Sequence, residues 1–380
     1  MRVTLDPKVR RTLIFGAAIG WLSFGAALVA SPVCAWTSFL TASFYFLTLS
    51  LGTLVLLALG SVGGAGWSAV LTRVAESLGA WLPIGAVTTL ATLLGVPWLY
   101  RWASDPHSVS GKRVYLNVPF FAVRMVVILG AWLIFQALLR NATTRQEQAG
   151  ALRHVRRRSA LSAAFLVVFG LTFSLASFDW LMSLESHFAS TMFGLYNIAG
   201  LLVAGTAGLT VLAIVLRKHA GFSALTEDHL HDLGKYLLGF STLWAYLWFS
   251  QYMLIWYANL PEETAYFLAR LDHGWSFLFY LNPILGWVLP FLVLLPRPAK
   301  RSEGHLFRVA WWMLGTRWLD IYLMVAPGTS PEHRGVGWIE LGLFVGFAAT
   351  FALVAARALS ARPLLAESDP FLVESLHHKI

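Results

Sequence analysis

The sequence has 380 residues, of which 57% are hydrophobic and only 12% are charged. Soluble domains carry about 25% charged residues, so this composition excludes an ordinary soluble protein and indicates that lipid surrounds most of the chain. The formal net charge of +9 does not indicate a nucleic-acid partner, because the basic residues fall in loops on one side of the predicted membrane region. The single cysteine, Cys34, excludes a disulfide framework and a four-cysteine metal site within the chain.

Ten segments are apolar enough to cross a bilayer, given that a spanning helix needs roughly 20 apolar residues. The first lacks a convincing cleavage site, so we interpret it as a retained span. The third is too long for a simple span, and we expect its first half, "GWSAVLTRVAE", to be an interfacial or lumen-facing stretch. The sequence thus predicts one polytopic membrane domain, residues 1–380, of the all-α integral membrane class. The predicted spans are 12–30, 38–60, 66–99, 118–139, 160–179, 192–216, 235–257, 274–296, 305–326 and 337–359.

The distribution of Lys and Arg predicts the orientation of these spans. With a cytoplasmic N-terminus, 20 basic residues fall in inner segments and five in outer segments, as the positive-inside rule requires. Both termini are then cytoplasmic, and Cys34 is expected in a short outer loop after the first span. The longest polar connection, about 140–159, is also cytoplasmic and is where two helix bundles would be joined.

An outward-facing stretch, "SFDWLMSLESHFASTMF", places three ionisable residues at the end of the fifth span. They are Asp179, Glu185 and His187. One interpretation is a solvated loop close to water, and the other is the outer mouth of a proton path. A metal site at His187 is not indicated, because no second histidine follows at a helical ligand spacing.

A second group of polar residues lies deeper in the predicted spans. Arg124, Gln251 and Asp320 are each six residues from the outer end of their span, roughly 9 Å deep at a rise of ~1.5 Å per residue. Arg317 precedes Asp320 by three residues and shares its helical face. Ionisable residues within spans indicate function by default, but Arg317 and Asp320 are also consistent with a structural ion pair. The group therefore either forms a path for protons or a ligand, or it only stabilises the packing of the helices.

A third cluster is predicted at the inner side of the membrane. The sequence "HLHDLGK" places His231, Asp232 and Lys235 at the start of the seventh span, at spacings that allow contact on one helical face. Arg73 and Glu76 form another i, i+3 pair in the third segment. These residues are either interfacial ion pairs or the cytoplasmic entrance of a proton route.

Cofactor motifs are absent from the sequence. The eleven histidines lie in loops or at the ends of predicted spans, which does not suit a b-type haem. No GxxxxGK[ST], CxxC or CxxCH motif occurs, so nucleotide, iron–sulfur and c-type haem binding are not encoded here. We therefore expect no cofactor within this chain.

Three stretches resemble a known family: "SFDWLMSLESHFASTMFGLY", "HDLGKYLLGFSTLWAYLWFSQYMLIWYANLPEE" and "RWLDIYLMVAP". They are similar to the polysulfide-reductase-like (NrfD/PsrC-like) membrane subunits of alternative complex III, a bacterial quinol:cytochrome c oxidoreductase. The likeness is greatest to the ActF type, described in the family as a second quinone-binding subunit. It covers residues from about Asp179 to Pro327 and is weak before residue 110 and in the C-terminal tail.

This resemblance implies ten helices in the bacterial inner membrane. Spans 2–5 (about 38–179) and 6–9 (about 192–326) would form two four-helix bundles, flanked by spans 1 and 10. It also implies an ActC-like sister subunit, with c-type haem and iron–sulfur clusters held by partner proteins and quinol oxidised nearby. In the family this subunit type is associated with a proton half-channel. The sequence departs at Thr72, where we expect many relatives to carry a second arginine.

Two other classes of function remain open. An independent secondary transporter predicts helices broken by Gly or Pro near the midplane in matching halves, and only Pro283 and Pro290 in the eighth span approach this. A purely structural anchor of a respiratory complex predicts that the polar layer only packs helices. Lipid surrounds the chain in each case.

Overall fold

The computed structural model describes residues 4–105, 112–149, 152–271, 274–332, 335–365 and 368–379. All regular elements in these ranges are helical, as the composition predicts. The α-helices are α1 (Pro7–Ala30), α2 (Pro32–Val62), α3 (Thr72–Gly79), α4 (Leu82–Ala91), α5 (Val96–Leu99), α6 (Arg101–Ser104), α7 (Val118–Ala149), α8 (Leu152–Trp180), α9 (Met192–Ala220), α10 (Glu227–Ala258), α11 (Pro261–Leu271), α12 (Ser276–Pro283), α13 (Leu289–Leu294), α14 (Arg297–Arg301), α15 (Glu303–Thr329), α16 (Trp338–Ala361) and α17 (Leu372–Leu376). Short 3₁₀ helices cover Gly66–Leu71, Thr92–Gly95 and Met182–Leu184, and a π-helix covers Ile284–Val288.

Within the described residues, eight helical segments are long and apolar enough to cross a membrane, which confirms the prediction of a multi-pass membrane protein. Two more long helices, α10 with 32 residues and α15 with 27, are less hydrophobic. Tryptophan and tyrosine lower their hydropathy, and α15 also carries Arg317 and Asp320. The eight segments are Pro7–Ala30, Pro32–Val62, Gly66–Leu99, Val118–Gln148, Arg153–Leu184, Met192–Ala220, Ser276–Leu294 and Trp338–Ala361.

Helices α2 and α9 lie at the centre of the fold and are the most buried of these segments. Helix α2 contacts α8, α9, α15 and α16, while α9 also contacts α10 and α15. Their backbones meet at Gly52 and Gly205, where a Cβ atom on Gly205 would lie 2.5 Å from the carbonyl carbon of Gly52. Small residues permit this close approach, which replaces the hydrophobic driving force that lipid removes. We call helices α2 to α8 the α2–α8 half and helices α9 to α15 the α9–α15 half. The contact between α2 and α9 joins these two halves.

Helices α1 and α16 pack together at the edge of the molecule. A Cβ atom on Gly20 would lie 2.2 Å from the Cα atom of Gly346, so both helices need glycine at the crossing. The rest of α1 is largely exposed, and its apolar surface suits contact with lipid.

Two of the apolar segments are interrupted. The segment Gly66–Leu99 changes repeatedly between 3₁₀ and α geometry, and the segment Ser276–Leu294 contains the π-helix directly after Pro283. Proline has no backbone N–H to donate, and π-helical turns mark local departures from the regular ladder. The start of the first interrupted segment, the 3₁₀ helix Gly66–Leu71, packs against α17 near the C-terminus.

The expectation that Cys34 lies in an outer loop is wrong. Helix α1 ends at Ala30 and α2 begins at Pro32, so a single residue connects them. Cys34 lies in the first turn of α2 and is buried. Proline suits the first turn of a helix, where its missing N–H needs no partner, and this is why α2 begins several residues before the predicted span.

The contact between α2 and α9 predicts the effect of a single methyl group. We expect Gly205→Ala to lower the free energy of unfolding by about 1–3 kcal/mol, the usual cost of overpacking a close contact. Gly130→Ala is the matched control, because a Cβ atom there would meet nothing within 4 Å. Thermal unfolding in detergent measures both variants, and equal midpoints for the two would contradict the close approach.

Candidate functional site

Asp320 is the centre of a buried polar group in the α9–α15 half. Its Oδ2 atom accepts a hydrogen bond from Arg317 Nη2 at 2.6 Å, which is the ion pair expected from their spacing. Its Oδ1 atom accepts from Asn282 Nδ2 at 2.6 Å and from the hydroxyl of Tyr196. Donors from three membrane segments therefore converge on one carboxylate that is 1% exposed.

The position of Arg317 depends on a glycine in the neighbouring helix. A Cβ atom on Gly200 of α9 would lie 2.2 Å from Arg317 Nη2, so glycine makes the room for the guanidinium. The guanidinium also lies 5.0 Å from the ring of Trp244, within the range of a cation–π interaction. These contacts hold Arg317 in place although its Nε atom has no hydrogen-bond partner among the described residues.

A small cavity of about 20 Å³ lies beside Asp320. Gln251 and Asn282 line it, and both are more than nine-tenths buried. Their oxygens, Gln251 Oε1 and Asn282 Oδ1, accept no hydrogen bond from the described part of the chain. One water molecule needs roughly 10–15 Å³ of such space and two to four polar partners. The cavity therefore has the size and the acceptors for one water molecule that donates to these amides.

Arg270 on α11 forms the outer boundary of this group. It is 2% exposed, and its Nη1 atom donates to Glu185 Oε1 at 2.8 Å and to the carbonyl oxygen of Tyr266 at 2.6 Å. Its Nε and Nη2 atoms each donate at 2.9 Å to the carbonyl oxygens of Leu323 and Met324 on α15. The guanidinium thus connects α11 and α15 to the segment between α8 and α9.

A proline explains why α15 can accept these hydrogen bonds. Pro327 lies inside α15 and has no N–H to donate to the carbonyl of Leu323, four residues earlier. Arg270 Nε takes the place of that missing donor. Gly328 follows, and a Cβ atom there would lie 3.0 Å from Glu185 Oε1, so glycine also gives the carboxylate its room. The sequence "APG" therefore builds the acceptor surface for the Arg270–Glu185 pair.

An open groove of about 320 Å³ lies on the other side of Tyr266. Glu185 and His187 line it, together with Arg101 and Glu262, and Tyr266 lines both this groove and the small cavity beside Asp320. The Tyr266 ring lies 3.3 Å below the Arg270 guanidinium. Polar groups therefore extend from buried Asp320 to an exposed groove, with one tyrosine between the two spaces.

Arg124 belongs to a separate group in the α2–α8 half. Its Nε atom donates to Asp179 Oδ2 at 2.6 Å, and its Nη2 atom donates to Oδ1 at 3.1 Å. The hydroxyl of Tyr115 also donates to Asp179 Oδ1, at 2.8 Å, and its ring lies 3.9 Å from the guanidinium. A bidentate pair of this kind fixes α7 against α8. The solvated-loop interpretation fits His187, which is exposed, but not Asp179, which is buried.

The inner residues at the start of α10 form a cluster with the C-terminal segment. Asp232 accepts from Lys235 Nζ at 2.5 Å and pairs with His378 Nε2 at 2.7 Å. His231 lies beside them, and its Nδ1 atom has no hydrogen-bond partner in the described ranges. Desolvation, followed by the charges of Lys235 and Lys300, lowers the pKa of His231 below its ordinary value.

Arg73 and Glu76 form their expected pair, at 2.8 Å. Arg73 also pairs with Glu147 of α7, which the sequence did not indicate. The interfacial ion-pair interpretation therefore describes these contacts well. Within the described residues, no three His, Cys, Asp or Glu side chains converge as a metal site would need.

Several residues of the main site were missed at the level of sequence. Tyr196, Tyr266 and Asn282 are neutral and drew no attention in apolar or aromatic surroundings. Asn282 was nevertheless detectable as an amide inside the eighth predicted span, directly before a proline. Arg270 was assigned only to an outer loop, because its acceptors are backbone carbonyls that no side-chain motif reveals.

In comparisons with known proteins, no protein-family model matches the chain and no curated protein shows significant sequence similarity to it.

The contacts of Arg270 predict a large loss of stability when it is replaced. Arg270→Met removes the guanidinium that donates to Glu185 and to three backbone carbonyls, so we expect a loss of about 3–5 kcal/mol in the free energy of unfolding. Arg270→Lys should recover only part of it, because an ammonium does not reproduce the planar fork. Arg101→Met, which removes an exposed charge at the same groove, should change stability by no more than about 0.5 kcal/mol. Thermal unfolding in detergent tests the series, and equal losses for the Arg270 and Arg101 variants would be inconsistent with the buried network.

Proposed function

We propose that this chain is a multi-pass subunit of a respiratory complex in the bacterial inner membrane. Its α9–α15 half would carry protons between Asp320 and the outer surface as a half-channel. The observation that carries the proposal is the row of buried polar groups from Asp320, past the cavity at Gln251 and Asn282, to Glu185 in the open groove. Buried polar groups are costly among membrane helices. If they served only to pack helices, pairing them would be enough, and no row that reaches the open groove would be needed.

The geometry around Asp320 suggests how a proton would be exchanged. Asp320 Oδ1 accepts two hydrogen bonds and Oδ2 accepts one, so a proton can bind at the free position on Oδ2 or, after one donor turns away, on Oδ1. Tyr196 is the donor best suited to this, because its hydroxyl hydrogen rotates and the oxygen can itself accept. A water molecule between Gln251 and Asn282 would then take the proton towards Tyr266. Arg270 stays protonated in proteins, so it positions Glu185 and does not carry the proton.

The proposal includes ten spans with both termini in the cytoplasm. The long helices α10 and α15 would be the seventh and ninth spans, and at 32 and 27 residues each exceeds the roughly 20 residues that a bilayer core requires. Spans 2–5 and 6–9 would form two four-helix bundles that meet at α2 and α9. The excess of basic residues in the inner segments supports this orientation.

The resemblance to NrfD-like subunits of alternative complex III supports the respiratory assignment. Its three sequence stretches lie far apart in the chain, yet they supply Glu185, Tyr196, Gln251, Arg317 and Asp320 to the one site. We infer that the partners are an ActC-like sister subunit, an iron–sulfur protein and c-type cytochromes. Those partners would hold the haem and iron–sulfur cofactors, and quinol would be oxidised near this subunit.

A secondary transporter is the second candidate, and the interrupted segments favour it. Segments Gly66–Leu99 and Ser276–Leu294 each depart from α geometry, one in each half of the molecule. Transporters commonly bind substrates at such breaks. Purification from the native membrane separates the two candidates, since a respiratory subunit should bring haem and iron–sulfur proteins with it. A protein that purifies alone and moves a solute in vesicles would favour the transporter.

The half-channel predicts a specific defect for Asp320→Asn in the purified complex. We expect assembly and visible spectra to be retained, while proton release per electron falls at least twofold, because the amide cannot take up a proton. Gln251→Leu should lower proton release similarly by removing an acceptor from the cavity. Glu262→Gln is the control, since it neutralises an exposed carboxylate in the same outer groove.

Two other results would assign Asp320 differently. A complex that fails to assemble with Asp320→Asn would make the residue a structural counter-ion for Arg317. Normal assembly with unchanged proton release would remove Asp320 from the path.

The proposed orientation predicts which sites an impermeant maleimide can reach. In a Cys34→Ala background, Ala189→Cys should be labelled in intact spheroplasts, because this exposed position lies in the outer segment. Lys218→Cys, exposed at the end of α9, should be labelled only after the membrane is permeabilised. The opposite pattern would reverse the topology.

A further inference from the structure

A cavity of about 80 Å³ at the inner end of the α2–α8 half has no role in the proposed half-channel. Residues from α2, α3, α7, α8 and α16 surround it. Its charged wall contains four arginines and one glutamate: Arg73, Arg140, Arg158, Arg362 and Glu76. Leucines and alanines of the same helices form the remaining wall, so one side of the cavity is strongly basic and the other apolar.

The charges of this wall do not balance. Arg73 forms ion pairs with Glu76 and Glu147, so these three side chains together carry a formal charge of −1. Arg140, Arg158 and Arg362 form no ion pair with any carboxylate of the described residues, although Arg158 lies within the field of Asp369, Glu76 and Glu147. Counting Glu76, Glu147 and Asp369 against the four arginines leaves a formal charge of +1 at a cavity that is only partly enclosed, because Arg140 is exposed.

Hydrogen-bond donors at the cavity also lack acceptors. Ser162 follows Arg158 by one helical turn on α8, is 1% exposed, and has no partner for its hydroxyl in the described ranges. Arg73 Nε is likewise buried without a partner. Arginine donates only, and buried donors are costly when they are left unpaired. The cavity is thus built for a ligand that is negative and rich in acceptor oxygens.

We propose that this cavity binds a phosphate group, supplied by the headgroup of an anionic phospholipid or by free phosphate. Guanidinium groups and hydroxyls are the donors that phosphate oxygens prefer. At the roughly 10–15 Å³ that one water molecule needs by the same measure, the cavity has room for about five to eight water molecules, which suits a phosphate group and not an entire lipid. A neutral quinone would leave the arginine excess uncompensated.

Both sources have a route to the cavity. Arg158 lines the cavity and also a larger open groove of about 520 Å³, through which free phosphate would enter. Basic pockets between helices on the cytoplasmic side of a membrane bind anionic lipid headgroups. The apolar wall would lie beside the upper part of a lipid, whose acyl chains remain in the bilayer. The proposed topology determines only which leaflet of the membrane would supply this lipid.

The experiment measures binding to the delipidated full-length protein in detergent, together with any partners that copurify. The probes are dioctanoyl phosphatidylglycerol, dioctanoyl phosphatidylcholine and inorganic phosphate, and the readout is the concentration dependence of the unfolding temperature. We expect phosphatidylglycerol to stabilise the parent protein. Arg158→Gln should weaken its binding about tenfold, and Ser162→Ala should weaken it about threefold. Arg157→Gln is the matched control, because this exposed neighbour has the same charge but does not line the cavity.

The other outcomes separate the sources or overturn the site. Equal stabilisation by inorganic phosphate, lost in Arg158→Gln, would support the site and identify free phosphate as its ligand. Equal effects of both lipids that persist in Arg158→Gln would overturn it, as would equal weakening by Arg157→Gln, which would show a general surface-charge effect. If Arg158→Gln does not fold, Arg158→Lys and Ser162→Ala carry the test. Asp320→Asn should leave this binding unchanged, so the result is independent of the half-channel.

Discussion

A guanidinium enclosed among the acyl-chain-facing helices must find its acceptors within the protein, because lipid acyl chains offer none. Arg124, Arg270 and Arg317 each meet this constraint with a carboxylate. Each pair connects elements that are separate along the chain or positions a residue that other helices contact. The removal of one partner leaves a buried charge uncompensated, which costs more than the pair contributes when intact. The packing of the helices around Asp179, Glu185 and Asp320 therefore depends on these three pairs.

Small residues and prolines make the room that the pairs require. Gly200 gives space to Arg317, and Pro327 frees the carbonyl that Arg270 binds. Gly328 lets Glu185 approach α15. Glycine has no side chain to pack, and proline has no N–H to donate. The side chains of Arg317, Glu185 and Arg270 make contacts in their place. The buried polar contacts and the helix packing thus depend on the same residues.

The two sides of the molecule differ in how their charges are balanced. Near the small cavity beside Asp320 the arginines are paired, and the atoms without a hydrogen-bond partner in the described part of the chain are the amide oxygens of Gln251 and Asn282. At the cavity of about 80 Å³ the atoms without a hydrogen-bond partner include the Ser162 hydroxyl and Arg73 Nε, beside arginines without ion pairs among the described residues. The first arrangement suits a water molecule and the second suits an anion. One chain therefore offers two sites of opposite chemistry.

The sequence by itself determined the all-helical membrane class, because composition and hydropathy depend only on the residues present. It also predicted three ion pairs, because a helix brings positions three residues apart onto one face. These are Arg317 with Asp320, Arg73 with Glu76, and Asp232 with Lys235. It did not indicate that Arg124 pairs with Asp179, or that Arg270 reaches Glu185 and two carbonyls of α15. Those contacts join segments 55 to 85 residues apart or involve backbone atoms, so neither a local spacing nor a side-chain motif encodes them. Only the tertiary structure decided these contacts, because the packing of α7 against α8 and of α11 against α15 fixes which polar groups meet.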